Sequence, residues 1–558
     1  MRARSVLSWL LLLVAPLAIA GPPAPHRLFR ITLDGASAQA VSGRLLLFAV
    51  PAAIAEKQAR DGKVTEVDTS PFHPTQTAVA AMEVTNLAPD ASVIVDADAL
   101  AFPQGFSKLA AGPYDIQALL DVNHDYNYRG RDAGDLVSDV AQVKFGDDAT
   151  VPTLRLVHTL AETWQPWSMP AFVPAKVRDR AEAAMRVAKP HARAIDFVSP
   201  ALSAFWGRPI HMRGWVLLPP GYDGNAHARY PTVYFTHGFG GNLVYLTSKA
   251  ADVWADMADG KMPPMIWVFL DESSPTGTHE FADSVNNGPW GTALTTELIP
   301  DLESHYRMDA KADGRFLTGH SSGGWATLWL QVRYPKIFGG TWSTSPDPSD
   351  FHNFTGADLY AADANVYYKP DGSPNPLVRN KGKVLATYRQ FAQLERVLGP
   401  YGGQMASFEW VFSPRGPDGR PEQMFNRNTG KVNPAVVAYW RDHYDIAHRI
   451  ETQWPRLRPF LDHKIHVIVG TADTFYLNQS AELLKGVLQK VGAHAEVQFL
   501  PGKTHMNLYT RGKDRDWLER QIAWAMYHVA RPDAPIPDAD RHELPAQVRA
   551  AETNASPR

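Results

Sequence analysis

The sequence predicts an α/β domain with a mostly parallel sheet and a long insertion, preceded by an all-β, sandwich-like domain. Three observations carry that expectation. From about residue 207, strand-like apolar runs alternate with helix-like segments, the order expected of strands joined by helical crossovers. Residues 27–160 hold only short alternating runs separated by Gly, Pro, Asn and Asp clusters. At 558 residues the chain is also too long for one ordinary domain.

Composition narrows the class. Apolar residues make up 45% of the chain and charged residues 20%, the balance of a globular protein. A formal net charge of -3 gives no reason to expect nucleic acid or an anionic membrane as partner. The chain has no cysteine, which excludes disulfides, thiolate metal sites, a cysteine nucleophile and a lipoprotein anchor. Its opening, "MRARSVLSWLLLLVAPLAIAGPP", has two arginines, an apolar core broken by Pro16, and an A-x-A site at Ala18-Ile19-Ala20. This predicts a cleaved signal peptide at 1–20 and a periplasmic or secreted product. No later run has the length and apolarity of a membrane span.

Taken in order, "RLFRITLDG", "GRLLLFAV", "TAVAAMEV", "SVIVDADAL", "YDIQALLDV" and "TLRLVHTL" read as strands of the first domain. Residues 161–206, punctuated by Pro166, Pro170 and Pro174, read as a linker or strap. The second domain is expected over 207–530. Its strands are "RGWVLLPPGY", "YPTVYFTHG", "MIWVFLDES", "RFLTG", "GGTWSTS", "KIHVIVG" and "AEVQFLPG", with helices at 293–306, 322–334, 478–491 and 514–530. The stretch at about 346–460 is too long for a plain connection and is expected to form a cap or lid. The polar, proline-bearing tail at 531–558 reads as disordered.

The chemistry centres on Gly319-His320-Ser321-Ser322-Gly323, which fits G-x-S-x-G between a strand and a helix. A serine on such a strained turn needs small neighbours two residues away on either side. Ser321 is therefore the candidate nucleophile. A base and an orienting carboxylate must follow in the order Ser, acid, His. Asp473 comes directly after the strand "KIHVIVG", and His505 directly after "AEVQFL". His237-Gly238-Phe239-Gly240-Gly241 follows an early strand and fits an oxyanion loop, with the N–H groups of Phe239 and Ser322 as donors. It lacks the spacing and lysine of a phosphate-binding P-loop. Asp445 with His443 or His448 forms a weaker rival set on one helical pattern.

With these motifs in place, the sequence resembles the esterase-D-like branch of the α/β-hydrolases. That branch includes enterochelin, feruloyl and acetyl-xylan esterases, S-formylglutathione hydrolases and mycolyltransferases. The resemblance rests on "LLPPGYDG", "YPTVYFTHGFGG", "ELIPDLESHYR", "TGHSSGGWATLWLQVRYPKIFGG" and "PGKTHMN", and covers roughly 207–345 and 462–528. It implies an α/β-hydrolase fold, a Ser321–His505–Asp473 triad, an oxyanion hole at Phe239 and Ser322, and no cofactor. The expected function is an exported serine esterase acting on a small-molecule, glycan or siderophore-type ester. An acyltransferase with the same triad, or a silent binding protein of the same fold, are the alternatives. The long insertion and the first domain depart from the pattern. Ser322 stands where many relatives carry methionine, which bears on the pocket floor.

Three features stay outside that frame. "DVNHDYNYRGRDAGD" spaces Asp121, Asn123, Asp125 and Asn127 as a calcium loop would. Tyr126 occupies the glycine position and Asp132 the position of the bidentate Glu, so it reads as an Asp/Asn-rich turn. Asp347, Asp350 and His352 follow a strand on the catalytic edge and could line the pocket. Trp290 and Trp325 flank the expected cleft.

Overall fold

Eight strands form the sheet that carries the site. The computed structural model of the chain describes residues 25–59, 62–146, 150–162, 165–170 and 173–535, so the expected signal segment and most of the expected tail lie outside the described residues. In spatial order the strands are Ala192–Val198, His211–Leu217, Ile266–Leu270, Thr232–Thr236, Arg315–His320, Gly340–Thr344, Ile465–Gly470 and Glu496–Leu500. The first two joins are antiparallel and the remaining five parallel.

Parallel strands need helical cover on both faces, and their residues are accordingly buried on both sides. Thr232–Thr236, Ile266–Leu270, Gly340–Thr344 and Ile465–Gly470 are buried throughout. Successive residues of one strand feed different cores, as the two-residue repeat requires. Val233 and Phe235 pack with the helices Leu243–Ala258 and Trp517–Ala530, whereas Tyr234 joins Leu294, Leu298 and Leu302 on the opposite face. Among the described residues no helix is long and apolar enough to cross a membrane.

The sheet begins earlier than the sequence suggested. Ala192–Val198, placed by the sequence inside the 161–206 strap, pairs along its whole length with His211–Leu217. It is an edge strand in which only Ile195 is fully buried, so its apolar signal was too weak to read. The strap also contains a helix, Ala175–Ala188, whose Met185 and Ala188 pack on Ala251.

The insertion is a packed layer. Its helices Tyr388–Leu398, Gln404–Phe412, Pro434–Tyr444 and Ile446–Leu461 share one core with Trp325 and Trp329 of the helix after Ser321 and with Ile465, Val467 and Val469 of the sheet. Trp440, Phe351, Phe354 and Phe412 interlock at ring-centroid distances of 5.3–6.0 Å.

The amino-terminal strands form one continuous nine-stranded sheet wrapped over its own core, rather than two separate leaves. All its pairings are antiparallel except Leu28–Leu33 with Thr153–Thr159. Strand Val41–Pro51 explains why "GRLLLFAV" does not alternate cleanly. Leu45 and Leu47 face the domain's inner core, while Leu46 and Phe48 share a second cluster with Leu394, Val397 and Leu398 of the insertion.

Candidate active site

Strand Arg315–His320 ends and helix Ser322–Arg333 begins with one residue between them, Ser321. Its backbone sits at φ 61°, ψ -125°, a conformation that costs an L-residue about 1–3 kcal/mol. The surroundings hold it there. Ser321 N–H donates to Thr344 O at 3.0 Å, and Ser321 O accepts from Asp347 N–H at 3.2 Å. A Cβ on Gly319 would lie 2.3 Å from Gly323 O, and one on Gly323 would lie 2.3 Å from His237 O. Both flanking positions must be glycine for the turn to close.

The candidate acid and base follow the two neighbouring parallel strands at the sheet's far edge. Asp473 follows Ile465–Gly470 and His505 follows Glu496–Leu500, so pairing those strands brings His505 Nδ1 to 2.9 Å from Asp473 Oδ2. Burial alone would raise the Asp473 carboxyl. The charge and hydrogen bond of His505, with N–H groups of Phe475 (2.9 Å) and Leu477 (3.3 Å), instead hold it below the ordinary carboxylate value.

His320, between Gly319 and Ser321, ties the Ser321 turn to this pair. Its ring lies 4.3 Å from that of His505, and its Nδ1 is 3.1 Å from Thr344 Oγ1. Burial, reinforced by His505, pushes its pKa well below the ordinary histidine value and keeps the ring neutral. Phe475 stands edge-on to the other side of His505 at 4.9 Å.

The glycine-rich loop after Thr232–Thr236 lies against the serine. A Cβ on Gly238 would sit 2.9 Å from both His320 O and Ser321 Cβ. The loop closes as a turn, Gly241 N–H donating to Gly238 O at 3.0 Å, with Gly240 at φ 79°. Buried His237 braces it from beneath, its Nδ1 2.8 Å from Gly238 O and its Nε2 2.9 Å from Asp271 Oδ1. Ser322 N–H opens its helix, where no intrahelical acceptor exists.

A family profile described as "Putative esterase" matches residues 207–517, more than half of the chain. The chain belongs to this esterase family. An esterase of Mycobacterium tuberculosis is 32% identical over 139 residues, 24% of this chain and 29% of that protein. An endo-1,4-beta-xylanase/feruloyl esterase of Xylanibacter ruminicola is 29% identical over 130 residues, 22% of this chain and 18% of its own. The chain thus spans under a third of the length of either relative. An S-formylglutathione hydrolase structure from Agrobacterium tumefaciens covers 61% of this chain and 95% of its own at 13% identity, with a TM-score of 0.34.

As a member of that family the chain has the α/β-hydrolase fold, and its site extends past the expected residues. The Ser322 hydroxyl donates to Asp347 Oδ2 at 2.6 Å. Burial pushes Asp347 up to about 6, with the Ser322 hydroxyl and His505 working against that rise. Asp347 is thus drawn into the site, whereas Asp350 turns aside to accept His352 N–H at 3.0 Å.

Sequence reasoning missed Glu272 and Glu280. Both are fully buried, and neither carboxyl has a hydrogen-bond partner of good geometry among the described residues. Burial raises Glu272 to about 8 and Glu280 well above the ordinary value, so near neutral pH they persist mainly as neutral acids. A single Glu in "LDES" or "THEF" carries no periodic signal that would have marked it.

Other candidates resolve into structure. Asp445 caps its helix through His448 N–H (2.9 Å) and accepts from Phe351 N–H and the Tyr360 hydroxyl; neither His443 nor His448 forms a pair with its side chain. Trp290 stacks on buried His279 at 3.6 Å, and Trp325 stacks on Trp329. In the acidic turn, Asp121 accepts the N–H groups of Asn123, Asp125 and Tyr126. Asp462, His463 and His494 bring ligand-type atoms within 4.8 Å of one another, but they lie before strands Ile465–Gly470 and Glu496–Leu500, at the opposite end from Asp473 and His505.

Proposed function

We propose that the protein is an exported serine esterase that cleaves carboxylic esters through Ser321, His505 and Asp473. The observation that carries this reading is Ser321 on a strained strand-to-helix turn, one residue from a histidine ring that packs on the His505–Asp473 pair. His505 accepts the Ser321 proton as Oγ attacks the ester carbonyl carbon. Negative charge develops on the carbonyl oxygen, facing the N–H groups of Phe239 and Ser322, each worth about 3 kcal/mol of barrier. As the intermediate collapses, the C–O bond breaks and the alcohol leaves with the proton from His505. Water, deprotonated by His505, then releases the acid and restores Ser321.

Membership of the esterase family and the feruloyl esterase among the relatives favour an ester of a small acid with a larger alcohol or glycan. Acyl transfer to a second alcohol is the other reading. It is favoured by the burial of His505, only 6% exposed among Asp473, His320 and Phe475. Products formed with and without added alcohols separate the two.

The test is mass spectrometry of the purified chain after a fluorophosphonate probe, alongside hydrolysis of short and long p-nitrophenyl esters. A single adduct on Ser321, lost with turnover in Ser321→Ala while the melting temperature holds, is the expected result. Turnover that survives Ser321→Ala would sink the assignment. Sequencing the amino terminus of the mature chain tests export, with cleavage after Ala20 expected.

A further inference from the structure

The loop that carries Phe239 has glycine at 238, 240 and 241, so little in its own covalent structure fixes where the Phe239 N–H points. His237 holds it from within the sheet. From outside it is held by a residue of the other domain. The Tyr128 hydroxyl donates to Gly241 O at 2.7 Å, and its ring stands edge-on to the Phe239 ring with centroids 5.1 Å apart. Tyr128 is buried, at 8% exposure. Burial, with the nearby charges of Asp271 and Glu272, pushes its hydroxyl well above the ordinary tyrosine value, so it remains a donor across the working range.

Tyr128 is itself firmly placed. The Asp121 carboxylate gathers the loop N–H groups of Asn123, Asp125 and Tyr126, ahead of and at the start of the short helix Tyr126–Arg129. On that helix Asn127 Nδ2 donates to Glu395 O (3.0 Å) and Gly399 O (2.8 Å) at the end of an insertion helix. Buried Arg44 donates to Val397 O at 2.8 Å on the same helix end. Glu395 O already accepts Gly399 N–H at 3.0 Å, but Val397 O lies in the last turn, where no intrahelical donor follows, so the docking satisfies a group that burial would otherwise leave unmet. The domain also reaches the opposite side of the site. Phe72 packs on Phe475 at 6.1 Å, and Phe475 in turn packs on His505 and donates its N–H to Asp473.

We propose that the amino-terminal domain completes the active site, with Tyr128 as the positioning residue that fixes the oxyanion loop. The acidic turn that resembles a calcium loop is the scaffold that presents it. This rests on the reading of Ser321 as nucleophile and Phe239 N–H as oxyanion donor. A donor misplaced by about 1 Å can cost about a hundredfold in rate, and the effect falls on the transition state rather than on substrate binding.

The experiment compares full-length wild type, Tyr128→Phe and Tyr128→Ala for kcat, KM, melting temperature and rate of Ser321 labelling by a fluorophosphonate. Tyr128→Phe keeps the ring and loses the bond to Gly241 O; its kcat should fall about tenfold with KM nearly unchanged. Tyr128→Ala loses both contacts and should fall about a hundredfold. Labelling should slow in parallel, because the phosphonyl oxygen needs the same donors. Wild-type kcat in a folded Tyr128→Phe overturns the positioning role, as does a loss confined to KM. If Tyr128→Ala fails to fold, Tyr128→Phe alone decides. A wild type that neither labels at Ser321 nor turns over esters would remove the nucleophile reading and this one with it. Normal wild-type turnover with unaffected variants would remove this one alone.

Discussion

His505 Nδ1 lies 2.9 Å from Asp473 Oδ2, in a pair whose carboxylate is fully buried and whose imidazole is almost so. Nothing else among the described residues hydrogen-bonds that carboxylate except its own following N–H groups, so it is committed to orienting His505. Asp473→Asn keeps the shape and reverses a donor–acceptor match, presenting the wrong tautomer of His505 to Ser321. Turnover of p-nitrophenyl acetate should fall by about 10⁴, as for the equivalent change in other Ser-His-Asp enzymes. Turnover within tenfold of wild type would mean that another carboxylate serves His505.

Ser321 and Ser322 are neighbours with separate duties. The Ser322 side chain is bonded to Asp347, so Ser322→Ala should leave labelling on Ser321 intact. It should cost about 1–3 kcal/mol of stability by depriving a buried carboxyl of its donor. Labelling that moved from Ser321 or disappeared in this variant would reverse the assignment of nucleophile.

Two glycines give opposite expectations for one substitution. Gly319→Ala would push a Cβ to 2.3 Å from Gly323 O at the elbow and should cost at least 1–3 kcal/mol along with most activity. Gly486→Ala lies on the exposed face of the helix Leu477–Lys490, with nothing within 4 Å of the new Cβ. It should add about 0.5–1 kcal/mol and leave activity alone. Denaturant melts of the two variants check both, and equal effects would contradict the packing described for the elbow.

Glu272 makes stability depend on pH. Its folded pKa, about 8, lies above the 4.5 of an ordinary glutamate, so the folded chain holds its proton more tightly than the unfolded chain. Its contribution therefore weakens as pH rises from about 4.5 to about 8 and levels off above that. Glu272→Gln removes this titration. The variant should gain about 2–4 kcal/mol over wild type at pH 8 relative to the difference at pH 4.5, by guanidinium denaturation. A difference that stays constant between the two pH values would show that Glu272 does not titrate in that window.

The elbow geometry was legible because its residue types are forced locally. A serine at positive φ demands glycines two residues away on both sides, and G-H-S-S-G records that demand in five letters. Asp473 and His505 were legible because each follows an apolar strand within a few residues. Glu272 and Glu280 were not, since a buried acid differs from an exposed one only in its surroundings. The strand Ala192–Val198 was hidden for a related reason, its edge position leaving one residue fully buried out of seven.

The sequence by itself determined the strand-to-helix elbow at Ser321 and the placing of Asp473 and His505 just after strands, because backbone sterics and the two-residue and 3.6-residue repeats act between near neighbours. Only the tertiary structure decided that Tyr128, 111 positions before Phe239, packs on the glycine-rich loop at 238–241. It likewise decided that the insertion is a packed layer, and that Asp121 gathers the N–H groups of the acidic turn ahead of Tyr128. Those outcomes depend on which buried surfaces and unpaired backbone groups meet across the fold, and no local pattern in the chain encodes such meetings.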